Sequence, residues 1–167
     1  IYNFYTCIPP RRLDDLKYLI YKKDVHYSDI PELDPSYNYY IKNQKLLIFN
    51  RYKTDAIFNK QVIPLKGKNS EYTNYKKLNK SFTSYVKLYD VKDGDFILFN
   101  KNKKELKNIS QVVKNVFKLD DKTSNLNLLR HSFISHYITD KKTMNYKKKV
   151  AYMMAHSIET QSNYIKL

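Results

Sequence analysis

Two glycines, Gly67 and Gly94, are all that this chain of 167 residues contains. Walker-type and dinucleotide-binding loops need several glycines to bring backbone amides against phosphate oxygens, so those loops are excluded and the common nucleotide-cofactor folds are not expected. Charge points elsewhere: 31 Lys or Arg against 16 Asp or Glu give a formal +15 at pH 7 with the four histidines neutral. Seventeen Tyr and eight Phe, within a hydrophobic fraction of 42%, are too many for a disordered basic tail. The length suits one domain with its own core. A folded domain that meets a polyanion is the reading these numbers favour.

Cys7 is the only cysteine, so there is no intrachain disulfide, no thiolate zinc cluster and no argument for an oxidising compartment; an intracellular protein is expected. No apolar run approaches the roughly 18 residues of a membrane span, and the opening Ile1 to Pro10 lacks the basic-then-apolar layout of a signal peptide. No membrane partner is expected. The chain enters an apolar segment directly at Ile1, which reads as the C-terminal part of something longer, with an upstream region missing. Only four of the 31 basic residues are arginine: Arg11, Arg12, Arg51 and Arg130. A forked, permanently charged guanidinium suits bidentate phosphate contacts better than an ammonium does, which directs attention to Arg12 and Arg130.

Periodicity divides the chain into alternating helical and extended pieces. Pro9-Pro10 followed by residues 11–22 predicts a helix, with Leu13, Leu16, Leu19 and Ile20 on one face. Three short strands follow at 38–41, 45–49 and 61–65, the first two joined by a tight turn at Lys42-Asn43-Gln44. Lys53 then lies on or beside a hairpin between the second and third strands. Residues 72–89 predict a long helix; 91–99 a turn around Asp93-Gly94-Asp95 with a short extended piece after it. Ser110 is expected to cap a helix through Phe117, Ser124 another through Ile138, and 144–155 fits a third. The expected fold is therefore α+β: one mainly helical domain over 1–167 with a small three-stranded antiparallel sheet.

Metal chemistry finds little support in the residues. Asp93-Gly94-Asp95 and Asp120-Asp121 read as turn and helix-flanking charges, since no partner acid appears at a supporting spacing. His131 and His136 lack a further ligand for zinc. Lys147-Lys148-Lys149 is a solvated face that is also able to contact backbone phosphates.

Two segments carry a sharper signal: Leu128-Leu129-Arg130-His131-Ser132-Phe133, and Ala155-His156-Ser157 with Tyr164 eight residues beyond the histidine. Together they resemble the tyrosine recombinase (phage-type integrase) family, whose signature is an Arg followed by His/Thr/Ser-Phe, a later His-Ser pair, and a Tyr beyond it. Pro10-Arg11-Arg12-Leu13-Asp14-Asp15-Leu16 resembles the family's first arginine box. Asp15, Leu16 and Leu19 lie three, four and seven residues after Arg12, which selects Arg12 over Arg11. Tyr52-Lys53-Thr54 before Val62-Ile63-Pro64-Leu65 is similar to the family's hairpin lysine and third strand. One position departs: the family usually has His three residues before its second arginine, where this chain has Asn127, a side chain that donates a hydrogen bond but moves no proton near neutral pH. The Pro-Pro-Arg-Arg start and the short His-to-Tyr step look most like integrases of large DNA viruses, virophages and related mobile elements.

The resemblance implies a catalytic domain that cleaves and rejoins double-stranded DNA through a 3′-phosphotyrosine, with Arg12, Lys53, Asn127, Arg130, His156 and Tyr164 as site residues. It implies no cofactor or metal, an upstream DNA-binding region that completes a clamp, and a homotetramer on two duplexes. The chemistry suits these residue types: an in-line nucleophile, donors for the charged phosphate oxygens, and an acid for the departing 5′ oxygen. A type IB topoisomerase shares the catalytic set but religates the same strand. A non-catalytic DNA-binding module of the same fold is the third reading.

Overall fold

The computed structural model describes residues 1–117, 126–139 and 141–165. Ser124 and Asp120-Asp121 lie outside the described residues. Helices α1 (Tyr2–Thr6) and α2 (Leu13–Lys17) lead into strand β1 (Leu19–Lys22). The helix expected over 11–22 therefore stops at Lys17. The reason is a change of period: Leu19 and Tyr21 pack into the main core, while Ile20 between them packs into a second, smaller apolar cluster on the other side. Consecutive residues that face opposite layers require a strand.

Strands β2 (Asn38–Ile41), β3 (Leu46–Phe49) and β4 (Gln61–Pro64) fall where the sequence places them. The sheet nevertheless has four strands in the order β1-β2-β3-β4, not three antiparallel ones. β1 pairs parallel with β2, Leu19 opposite Asn38 and Lys22 opposite Ile41, whereas β2–β3 and β3–β4 are antiparallel. A parallel neighbour needs a long return path, and residues 23–37, with a 3-10 helix at Tyr27–Glu32, provide it. Alternation then sorts the side chains: Tyr40, Leu47 and Phe49 face the main core, and Tyr39, Ile41, Leu46 and Ile48 the smaller cluster. The β2–β3 turn closes with Lys45 in the left-handed region at φ 51°.

The short helix α3 (Asp55–Phe58) sits in the β3–β4 connection. Helix α4 (Tyr75–Leu88) begins three residues later than the periodicity suggests, because Asn74 Oδ1 accepts from Lys77 N at 3.0 Å and so caps it. Its Phe82 stacks on Tyr40 of the sheet at 4.1 Å between ring centroids. Helix α5 (Ile109–Phe117) takes its cap from Asn108, whose Oδ1 accepts from Gln111 N at 3.3 Å, rather than from Ser110. Helices α6 (Leu126–Tyr137), α7 (Met144–Met154) and α8 (Ile158–Ile165) complete the chain, with α8 packed against both α6 and α7. The architecture is a mixed, mainly helical α/β fold. No helix among the described residues is long and apolar enough to cross a membrane.

Candidate active site

Helix α7 ends in a sharp turn. Ala155 adopts the left-handed conformation, φ 53° and ψ 54°, and its N–H turns back to the carbonyls of Ala151 and Tyr152. His156 is the next residue, 4% exposed, so this turn decides where the imidazole points. Helix α6 supplies Arg130, which is fully buried. Its Nη1 donates to Pro10 O at 2.7 Å and its Nη2 to Met154 O at 3.2 Å, and Nη2 also stands 3.4 Å from His156 Nδ1.

The two neighbouring arginines at the start of α2 divide their work. Arg11 is fully buried and bonded inside the fold: Nε meets Asp15 Oδ2 at 2.7 Å, and Nη1 donates to Gln61 Oε1 and to Met153 O, both at 2.8 Å, while its Nη2 has no partner among the described residues. Its guanidinium carbon lies 3.8 Å over the Phe49 ring. Arg12, at the N-cap position of α2, is half-buried, and its charge is felt by both Arg130 and His156. The acid that follows Arg12 by three residues therefore serves Arg11, a helical turn away, and leaves Arg12 free for the cluster.

Burial, and then the positive charges of Arg130 and Arg12, push the His156 pKa down from 6.5 to about 3. The imidazole is neutral at physiological pH. Five buried side-chain nitrogens have no hydrogen-bond partner among the described residues: Nη2 of Arg11, Nε2 of Gln161 and, in this cluster, Nε of Arg12, Nε of Arg130 and Nε2 of His156. Buried donors without acceptors are costly, of order 1–3 kcal/mol each, unless a ligand or solvent completes them. Two fixed cations and a neutral donor with open hydrogen-bond positions form a site for an oxyanion.

Tyr164 comes from α8 and is half-buried against this cluster. Its ring centroid is 4.2 Å from that of His131 and 5.9 Å from that of His156. Burial lowers the Arg130 pKa, and hydrogen bonding of its guanidinium, as donor, to the Tyr164 side chain opposes that shift. The structure thus brings Arg12, Arg130, His156 and Tyr164 together, with His131 beside Tyr164.

Two expected members stand apart. Asn127 lies on α6 one turn before Arg130 but is exposed. Lys53 is exposed in the β3–β4 connection, outside the buried cluster. Its loop is nevertheless tied to the site: Thr54 Oγ1 donates to Ala155 O at 3.0 Å, one residue before His156. His136 is exposed at the far end of α6, and Lys148 and Lys149 are exposed on α7.

Sequence reasoning passes over Gln61 and Thr54, both of which touch the turn before His156. The signal for Gln61 is its place in β4, where residues 61 and 63 point inward and 62 and 64 outward. An amide on the inward face of an alternating strand needs polar partners, and Gln61 finds them in Arg11 and, through Nε2 at 2.9 Å, Tyr152 O.

No family model matches the chain, and no curated protein sequence matches it either. Among solved structures, the fold is similar to one described as the crystal structure of XerA recombinase, with a TM-score of 0.58 and 16% sequence identity. The likeness covers 96% of this chain and 49% of that one, so the chain spans about half the length of its structural neighbour. At that identity the likeness is one of fold.

Proposed function

We propose that this chain is the catalytic domain of a tyrosine recombinase or integrase, which cleaves and rejoins double-stranded DNA. The reading rests on one observation: Arg130 lies 3.4 Å from His156, whose ring is 5.9 Å from that of Tyr164, with Arg12 near enough for its charge to act on both, and Arg12, Arg130 and His156 each carry a buried nitrogen without a partner among the described residues. The similarity in fold to a recombinase and the +15 charge support it.

In the proposed reaction the Tyr164 Oη attacks the scissile phosphorus in line with the P–O5′ bond. A Tyr–O–P bond forms, the P–O5′ bond breaks, and the phenolic proton passes to solvent or a base. Arg12 and Arg130 neutralise the charge that grows on the non-bridging oxygens, and His156 donates its Nε2–H to one of them. Lys53 is assigned the proton for the departing 5′ oxygen. The 5′ hydroxyl of a second strand then attacks the phosphotyrosine, releasing Tyr164 and restoring the phosphodiester. The bond energy is kept in the covalent intermediate, and a tetramer on two duplexes would carry out the exchange.

Incubation with a duplex nicked close to the cleavage position should trap a denaturant-resistant adduct, because the short 5′ product diffuses away. Tyr164→Phe should abolish it. A wild-type protein that never forms the adduct, or a Phe variant that still does, overturns the reading. Supplying two partner duplexes then separates strand exchange from relaxation of a supercoiled circle.

A further inference from the structure

The last four carbonyls before His156 are each taken by a side chain from a different part of the chain. Tyr152 O accepts from Gln61 Nε2 at 2.9 Å, Met153 O from Arg11 Nη1 at 2.8 Å, Met154 O from Arg130 Nη2 at 3.2 Å, and Ala155 O from Thr54 Oγ1 at 3.0 Å. A helix C-terminus ordinarily leaves these acceptors to water or to a glycine turn. Here the turn residue is Ala155, 1% exposed and held at a positive φ that costs an L-residue roughly 1 kcal/mol. Arg11, Gln61 and Arg130 are themselves completely buried, and Arg11 and Gln61 bond to each other. Two guanidiniums at the negative end of a helix dipole add electrostatic support.

We propose that Arg11 and Gln61 are positioning residues that hold the backbone turn at Ala155, and through it the imidazole of His156, in the geometry the anion site requires. This rests on the proposed reaction, in which His156 donates to the phosphate. Arg11 does not touch the reacting atoms; it joins Asp15, Gln61 and Met153 O with a fork that a lysine cannot reproduce. Gln61 spans two elements with one amide, accepting from Arg11 and donating to Tyr152 O. Released from these bonds, the turn is free to relax toward ordinary helical φ and swing His156 away from Arg130.

The test is a double-mutant cycle on adduct formation in single turnover at saturating protein. Gln61→Leu and, separately, Arg11→Lys are combined with His156→Asn. Each single variant should slow cleavage by roughly 10- to 100-fold, the loss that a misplacement of about 1 Å produces, with DNA affinity kept. In the His156→Asn background the same substitutions should cost less than about twofold, because the group they position is gone. Equal losses in both backgrounds, or no loss in either, overturn the proposal. A destabilised Arg11→Lys leaves Gln61→Leu to decide.

A second readout does not depend on cleavage. In the free protein the His156 ring, faced by Arg130, Arg12 and Tyr164, stays neutral from pH 8 down to below about 5. In Gln61→Leu its NMR titration should move up toward the ordinary histidine range. An unmoved His156 titration overturns the positioning role even if the enzyme never cleaves DNA, whereas a shifted titration in a protein that forms no adduct leaves positioning intact and removes the proposed reaction.

Discussion

Nη2 of Arg130 stands 3.4 Å from Nδ1 of His156, and a guanidinium has no lone pair to offer. Nδ1 must therefore be the acceptor, which places the single ring proton on Nε2, the nitrogen left without a partner. The same contact explains why a second proton is unwelcome: an imidazolium here would face Arg130 and Arg12 inside a buried site. The histidine is set to be a donor that carries no charge of its own until an anion arrives.

A pH dependence of stability follows. The unfolded histidine titrates near 6.5 and the folded one near 3, so between those values the unfolded chain binds a proton that the folded chain refuses. This residue's contribution is intact above about pH 6.5 and erodes below it by up to ~1.4 kcal/mol per pH unit. Urea midpoints of the wild type and His156→Gln, compared across that range without DNA, should keep a constant gap above about pH 6.5 and shift steadily in the variant's favour below it. Curves that stay parallel throughout would show that His156 titrates normally.

The two candidate catalytic arginines should separate in folding rather than in chemistry. Loss of one oxyanion donor costs about 10² to 10³ in rate, and both Arg12→Ala and Arg130→Ala should slow adduct formation by at least that much with little loss of DNA affinity. Arg130 also satisfies Pro10 O and Met154 O, and unpairing two buried carbonyls costs roughly 1–3 kcal/mol each, so Arg130→Ala should lower Tm clearly. Arg12→Ala, with no such bonds among the described residues, should leave Tm nearly unchanged. An Arg12 variant that loses affinity and cleavage in equal proportion would identify Arg12 as a tether.

Tyr164 rests against His131 and His156 of its own chain, which predicts that it acts on DNA held by the same protomer. Mixing Arg12→Ala with Tyr164→Phe on nicked duplex should yield no adduct, because neither protomer then holds a complete site. Recovery of the adduct in the mixture would mean that α8 is exchanged between protomers on DNA.

The strands β2 to β4 were legible because each is a short apolar run bounded by turn residues, and α4 to α7 because their apolar faces repeat at helical spacing. β1 was hidden by Leu16, Leu19 and Ile20, whose spacing continues the helical pattern of α2. Only the presence of a second apolar layer, built by Tyr39, Ile41, Leu46 and Ile48, makes a strand the better use of Ile20. At the site, Arg130, His156 and Tyr164 were legible through a linear pattern of residue types. The carbonyl clamp was not, since Thr54, Gln61 and Arg11 meet Ala155, Tyr152 and Met153 across 101, 91 and 142 positions of chain. Spacing of residue types reports chemistry along one element; it carries no information on donors that arrive from elsewhere to fix a helix end.

Lys53 poses the sharpest question, because it is the proposed proton source and yet stands exposed outside the buried cluster. Its loop is anchored only one residue later, where Thr54 bonds Ala155 O beside His156, so the ammonium has a short arc to travel from a fixed hinge. DNA phosphates seated on Arg12 and Arg130 would draw it inward, which confines proton delivery to the loaded site. Lys53→Ala should then cripple cleavage of ordinary DNA. Replacing the 5′ bridging oxygen by sulfur gives a leaving group with a thiol-like pKa near 8.5, which departs without a proton. On that substrate the Lys53→Ala defect should shrink sharply while the Arg12→Ala defect persists, since the non-bridging oxygens still need neutralising. Rates on matched oxygen and sulfur duplexes decide it: a Lys53 defect of the same size on both would make the lysine an electrostatic or structural group and move the acid to another residue.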